Sequence, residues 1–138
     1  MSSLIYDSVF EDILTGKINF AVDTVKCLLV TMEYVPYKKV HTRRSNILHE
    51  VTGRGYTSGG VVVDVSIVKD TENDRTYISL GEADWQSSTI TASGAVYYKS
   101  RGGTTSADEL IAFIEFDEIT TSINGPFSIK ETLLWIDN

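Results

Sequence analysis

The sequence predicts a mainly β chain: a single antiparallel β-sandwich of about seven strands, jelly-roll or Ig-like, with one short N-terminal α-helix. Three observations carry this. Short runs rich in β-branched and aromatic residues recur between clusters of Gly, Asp, Asn and Ser. Strands do not alternate with helical segments, which argues against a parallel α/β sheet. Finally, 138 residues without a repeat or linker read as one domain, 1–138, long enough for a real core.

The helix comes first. Leu4 to Leu14 sets Ile5, Val9, Phe10, Ile13 and Leu14 at three- and four-residue spacings, with Ser2 or Ser3 as the cap. Gly16 stops it, so the helix lies within residues 1–16 and buries its apolar stripe against a sheet or a neighbouring subunit. Asp7, Glu11 and Asp12 give it an acidic face, which the helix dipole favours near the N-terminus.

Asp23 to Met32 reads as the first strand, apolar on both faces at its far end and closed by Tyr34-Val35-Pro36-Tyr37. Lys38 to His49 is polar and basic without a persistent period, a long loop with one helical turn. Glu50 to Gly60 is the punctuation of the chain. It holds Gly53, Gly55, Gly59 and Gly60 in a tight hinge that pins Arg54 and Tyr56 and feeds a second strand, Gly60 to Val68.

The turn cluster Asp70 to Asp74 hairpins that strand to a third, Thr76 to Leu80. Trp85 to Ala92 makes a fourth strand with Trp85 as a core anchor, Ser93-Gly94 breaks it, and Ala95 to Lys99 is the fifth. Of the adjacent Tyr97 and Tyr98, alternation lets only one face the core. Arg101 to Ala107 is a small-residue tip, and Leu110 to Phe116 the most apolar, central strand. Ile119 to Asn124 is a polar link, Gly125-Pro126 a turn, and Phe127 to Ile136 the last strand.

Several chemistries are disfavoured. The hinge spacing misses the dinucleotide pattern, and no Gly-Lys-Ser/Thr follows it, so the glycines are structural. Twelve basic against 19 acidic residues leave a charge of -7, a surface that repels nucleic-acid phosphates and anionic lipid. Cys27 is the single cysteine, so no intramolecular disulfide forms and no thiolate-based zinc site can be built. It reads as a small buried hydrophobe rather than a nucleophile. His41 and His49 lie near Glu50 and Asp64, but no metal-ligand spacing unites them. Paired carboxylates for hydrolysis are a weak signal among so many acids. No catalytic, cofactor or metal residue is expected. The N-terminus lacks a secretory pattern and no run reaches transmembrane length, so a cytoplasm-like compartment is expected.

Tyrosine is the compositional excess. Seven in so small a chain supply contact area with a polar tip, the signal that interfaces carry. The candidates for contact sit on the long loop and the hinge: Tyr34, Tyr37, His41, Arg43, Arg44, Arg54 and Tyr56.

The ordered pieces Leu14-Thr15-Gly16-Lys17-Ile18-Asn19-Phe20, Asp23-Thr24-Val25-Lys26, Leu29-Val30, Tyr34-Val35-Pro36 and His41 begin a longer succession. Glu50 with Gly53 to Gly60, Trp85 to Ala92, Gly94 to Lys99 and Leu110-Ile111-Ala112 continue it across nearly the whole chain. This succession resembles a family of small tailed-bacteriophage virion structural proteins. The resemblance implies a structural component encoded among head and tail genes, without catalytic residues. It also implies a location in the virion after synthesis in a bacterial host cytoplasm. Expected partners are other virion proteins, either the major capsid protein or tail proteins, together with further copies of the same chain; neither nucleic acid nor membrane is among them. Capsid decoration or cementing is the favoured role. A tail-associated structural or receptor/carbohydrate-binding module, stacking sugars on Trp85 and loop tyrosines, is the alternative.

Overall fold

The computed structural model describes residues 2–137 as two antiparallel sheets and one helix. The strands are β1 (Ser2–Ile5), β2 (Val25–Val30), β3 (Val61–Val63), β4 (Val65–Asp70), β5 (Arg75–Leu80), β6 (Ala83–Lys99), β7 (Leu110–Ile129) and β8 (Thr132–Asp137). The helix, α1, is Ser8–Leu14. Sheet 1 runs β1-β7-β6-β2-β3 and sheet 2 runs β4-β5-β8.

The predicted helix start is corrected. Ser2–Ile5 is an edge strand, pairing Leu4 with Phe113 and Ile5 with Ala112 of β7. The helix begins only at Ser8, and Asp7 before it makes no side-chain cap, so neither Ser2 nor Ser3 caps it. Its end is as the glycine predicts. Gly16 N–H donates to Ile13 and Lys17 N–H to Asp12 at 2.7 Å, the paired bonds of a Schellman ending.

The second predicted strand is two strands. Asp64 marks the point where the chain leaves sheet 1 for sheet 2, its carbonyl accepting from Gly81 N–H at 2.7 Å. The fourth and fifth strands are one, β6, and the polar link and Gly125-Pro126 turn lie inside the twenty-residue β7. These two strands bend together. Gly94 pairs with Glu115 but Ala92 with Thr120, so Phe116 to Ile119 bulge out opposite Ser93. The bend brings the Phe116 and Phe127 ring centroids to 6.3 Å. The last predicted strand is divided as well: Phe127–Ile129 completes β7, and β8 starts at Thr132.

Where β2 and residues 95–98 of β6 and 110–114 of β7 lie side by side, sheet 1 is buried on both faces, which is why these stretches read as nearly continuous apolar runs. Between the sheets and α1, Val25, Cys27, Leu29, Ala95, Tyr97, Ile111 and Ile114 meet Val9, Ile78, Leu80 and Leu134. On the opposite face Leu28, Val30, Val96, Tyr98, Leu110 and Phe113 are covered by Tyr6, Tyr34 and Ile47. Both tyrosines of the Tyr97-Tyr98 pair are therefore buried, each in a different core, and the expectation that only one could be is overturned. Cys27 is fully buried, and that burial pushes its thiol up to about 12. Each fully buried aliphatic or aromatic side chain here contributes about 1.5–3 kcal/mol.

Candidate protein–protein interface

Residues 31–60 connect β2 to β3: through Tyr34 and Ile47 the segment straps the outer face of sheet 1, and through Val51 and Tyr56 its last part packs into the core on the other face. All seven candidate residues lie on it between Tyr34 and Tyr56, Arg54 with its side chain exposed.

Tyr34 is 7 % exposed and faces inward, its ring edge-on to Phe113 at 5.4 Å. Its hydroxyl lies 2.6 Å from that of Tyr6 and 3.0 Å from His41 Nδ1. The Tyr37 N–H donates to the same Nδ1 at 3.5 Å, and the Tyr37 ring stands edge-on to the imidazole. Burial moves both groups: the Tyr34 hydroxyl is pushed above its ordinary 10.0 and the His41 imidazole below its ordinary 6.5. Only Tyr37 presents most of its ring to solvent.

Arg43 and Arg44 hold the strap to the β6–β7 connection. Arg44 N–H donates to the Asp108 carbonyl and Leu110 N–H to that of Thr42, while Arg43 bridges Glu109. Arg44 pairs with Asp108 at 3.6 Å and lies over the Tyr98 ring at 5.1 Å. Arg43 stands 3.8 Å from Asp12, a carboxylate on α1 that is 3 % exposed. At that distance the pair is ionic only, and Asp12 Oδ2 has no hydrogen bond. Burial chiefly, with the Glu109 charge adding, keeps the Asp12 carboxyl above its ordinary 3.8 against the pull of Arg43. Arg101 closes the cluster with a two-pronged pair on Glu109 at 2.8 and 2.7 Å. Burial opposes ionisation of Glu109, but Arg101 overcomes it and holds the carboxyl below its ordinary 4.5.

The glycine hinge closes on Glu50. That carboxylate accepts from the Tyr56 hydroxyl, from Ser58 Oγ at 3.1 Å and from Gly59 N–H at 2.7 Å. Tyr56 Oη in turn accepts from Leu29 N–H, and its ring lies 5.9 Å from Trp85. Tyr98 Oη donates to the Gly59 carbonyl at 2.6 Å. Arg54 stays exposed, bridging Thr89 through its backbone.

Sequence reasoning found the strap but missed its anchors Tyr6, Asp12, Glu50, Tyr98, Asp108 and Glu109. The signal for two of them is Asp108-Glu109 set directly before the most apolar strand, a place where acids persist only when paired. The side chains the strap exposes were also missed, because they are aliphatic. Met32, Val35, Val40 and Leu48 project into solvent as Tyr37 does, with Met32 72 % and Val40 70 % exposed. Trp85 is 4 % exposed and packs against the Tyr56 and Phe127 rings.

His49 is apart from His41, pairing with Glu33 at 3.6 Å. Among the described residues no cluster of three or more His, Cys, Asp or Glu is placed to hold a metal, and no helix is long and apolar enough to cross a membrane. No family model, curated protein or solved structure matches the chain.

Proposed function

We propose that this chain is a non-enzymatic structural protein of a tailed-phage virion, a capsid decoration or cement protein that joins neighbouring subunits. The observation that carries the reading is the strap: its backbone is locked by buried polar bonds, yet it shows five large apolar side chains to solvent. Exposed apolar groups on an already ordered backbone suit docking, because little conformational freedom is lost on binding. The order of sequence pieces described above supplies the phage assignment. The mechanism is burial of interfaces of about 800 Å² per partner. Repetition across a symmetric lattice then turns modest single contacts into stable attachment.

The test mixes purified protein with separated phage heads and tails, sediments each, and assays the pellets. Saturable co-sedimentation with heads is expected, with a Tyr37→Ser/Val40→Ser variant sedimenting less. Binding to tails alone would move the protein to the tail. Binding to neither would remove the phage assignment.

A further inference from the structure

We propose that His41 is a pH-sensitive latch for the strap, and that protonating its imidazole releases residues 31–49 from the face of sheet 1. Its consequence for docking rests on the reading of the strap as the contact surface; the latch itself is a property of the isolated chain.

The hydrogen bonds run in one direction. The Tyr37 backbone N–H can only donate, so His41 Nδ1 is an acceptor and the neutral ring carries its proton on Nε2. The Tyr34 hydroxyl then donates to Nδ1, and the Tyr6 hydroxyl donates to Tyr34. Neither phenol gives up its proton near neutrality. Burial, with the Tyr34 hydrogen bond adding, pushes Tyr6 far above its ordinary value, and burial raises Tyr34 as well. The imidazole is the one member of the relay whose ordinary value lies near neutrality, and burial lowers it from there.

A proton on Nδ1 reverses the relay and leaves a group stranded. Tyr34 Oη accepts from the imidazolium, and only one of the two phenol protons can lie between Tyr34 Oη and Tyr6 Oη. The other, on a side chain no more than 7 % exposed, then needs a new acceptor. Tyr6 is fully buried, and among the described residues its hydroxyl bonds only to Tyr34. A buried donor without a partner is the costly arrangement, and lifting the strap relieves it. The Tyr37 N–H meanwhile loses its acceptor and faces a donor.

The surroundings do nothing to hold the charged ring. Tyr34 and Tyr37 face it from the strap, Tyr6 reaches it through Tyr34, and Phe113 on β7 packs against Tyr34. The nearby charges, Asp7 at the β1–α1 junction and Lys38 on the strap, pair with each other at 3.4 Å. Among the described residues no carboxylate pairs with His41, whereas His49 has Glu33. Release uncovers Phe113, Leu110 and Tyr98, the apolar face that the strap otherwise seals.

The experiment uses the full chain and needs no partner. Imidazole resonances of His41 and His49 are followed by NMR from about pH 7.5 to about pH 5, with amide hydrogen-exchange protection factors at both ends. The Tyr34 ring resonances should shift with the same midpoint as His41. Protection of the Val40 and His41 amides should fall on the order of tenfold at the acid end, a loss of about 1.4 kcal/mol, while amides of 95–98 hold theirs. In Tyr34→Phe, which keeps the ring and removes the relay, that fall should vanish. Unchanged protection while His41 titrates would overturn the latch. A fall that persists in His41→Gln would also overturn it, assigning the change to the Asp12–Arg43 pair. If the latch opens and attachment to heads is indifferent to pH, the docking reading fails and the latch stands.

Discussion

Gly60 lies against Cys27 so closely that a β-carbon on it would sit 1.7 Å from the Cys27 carbonyl oxygen, and its φ is +76°. The contact seats the hinge on β2 just before β3 begins pairing with the same strand. Gly60→Ala therefore meets both backbone strain and a clash with main chain that cannot rotate away. A loss of more than about 3 kcal/mol is expected, read as the shift in denaturant midpoint. Gly102 is the control, at φ +78° with open space around it. Gly102→Ala should cost only about 1–2 kcal/mol, the price of the left-handed backbone alone. Equal losses at the two sites would mean that close approach to Cys27 does not matter.

Glu50 ties the hinge to the sheet through three donors from one short loop, Tyr56, Ser58 and Gly59. Glu50→Ala leaves the Gly59 N–H and the Tyr56 hydroxyl without their acceptor, both part-buried. About 2–4 kcal/mol should be lost. Tyr56→Phe removes one donor of the same network, so the double variant should lose less than the sum of the single losses. A coupling of about 1–3 kcal/mol in a double-mutant cycle is expected, and strict additivity would refute the network.

The acid limb of stability follows from carboxyls shifted in opposite directions. Glu109 sits below its ordinary 4.5 because Arg101 overcomes burial, and Asp23 sits below its ordinary 3.8 because Asn19 N–H and Lys99 do the same. The folded chain binds fewer protons at both sites than the unfolded chain. Their stabilisation is present above the ordinary values and lost as pH falls through the lowered folded ones. Asp12 opposes them: raised by burial, it stabilises the fold below its ordinary 3.8 and loses that contribution as pH climbs through the raised value. Melting temperature measured from about pH 2 to about pH 6 should therefore fall steeply on the acid side. Glu109→Gln should flatten that fall, and Asp12→Asn should remove an opposing slope at higher pH. Curves parallel to the wild type would show that these groups do not set the limb.

The sequence marked where the chain bends but not what the bend builds. Ser93-Gly94 reads as a break, and the strand continues through it, because a glycine there lets the bent β6 lie on β7. A β-carbon on Gly94 would stand 2.7 Å from the Phe113 ring and 2.8 Å from the Ile114 carbonyl. Composition flags the glycine, while the crowding comes from β7, about twenty residues on. Leu4-Ile5 fits a helical period as well as a strand, and only pairing with β7 decides between them. Tyr97-Tyr98 misled because alternation presumes one covered face. The strap that covers the second is itself a loop with no period to read. Arg43 and Arg44 read as contact residues on a loop for the same reason: their partners Asp108 and Glu109 are distant in sequence, and local spacing cannot see them.

The strap separates two kinds of residue that composition alone cannot, and mutation should separate them too. Tyr34 and Arg44 face inward, against Phe113 and Tyr98, so changes there act on the fold first. Met32, Val40 and Leu48 face outward, where substitutions usually stay within about 0.5 kcal/mol. Val40→Ser with Leu48→Ser should leave the melting temperature nearly unchanged while raising the concentration at which self-association or particle binding is half-maximal, measured by sedimentation. Arg44→Ala should lower the melting temperature, since Asp108 is then a buried carboxylate short of its cation. An outward pair that unfolds the chain would mean that these side chains are part of the core. An outward pair that changes neither property would mean that the exposed apolar strap is not where this protein makes contact.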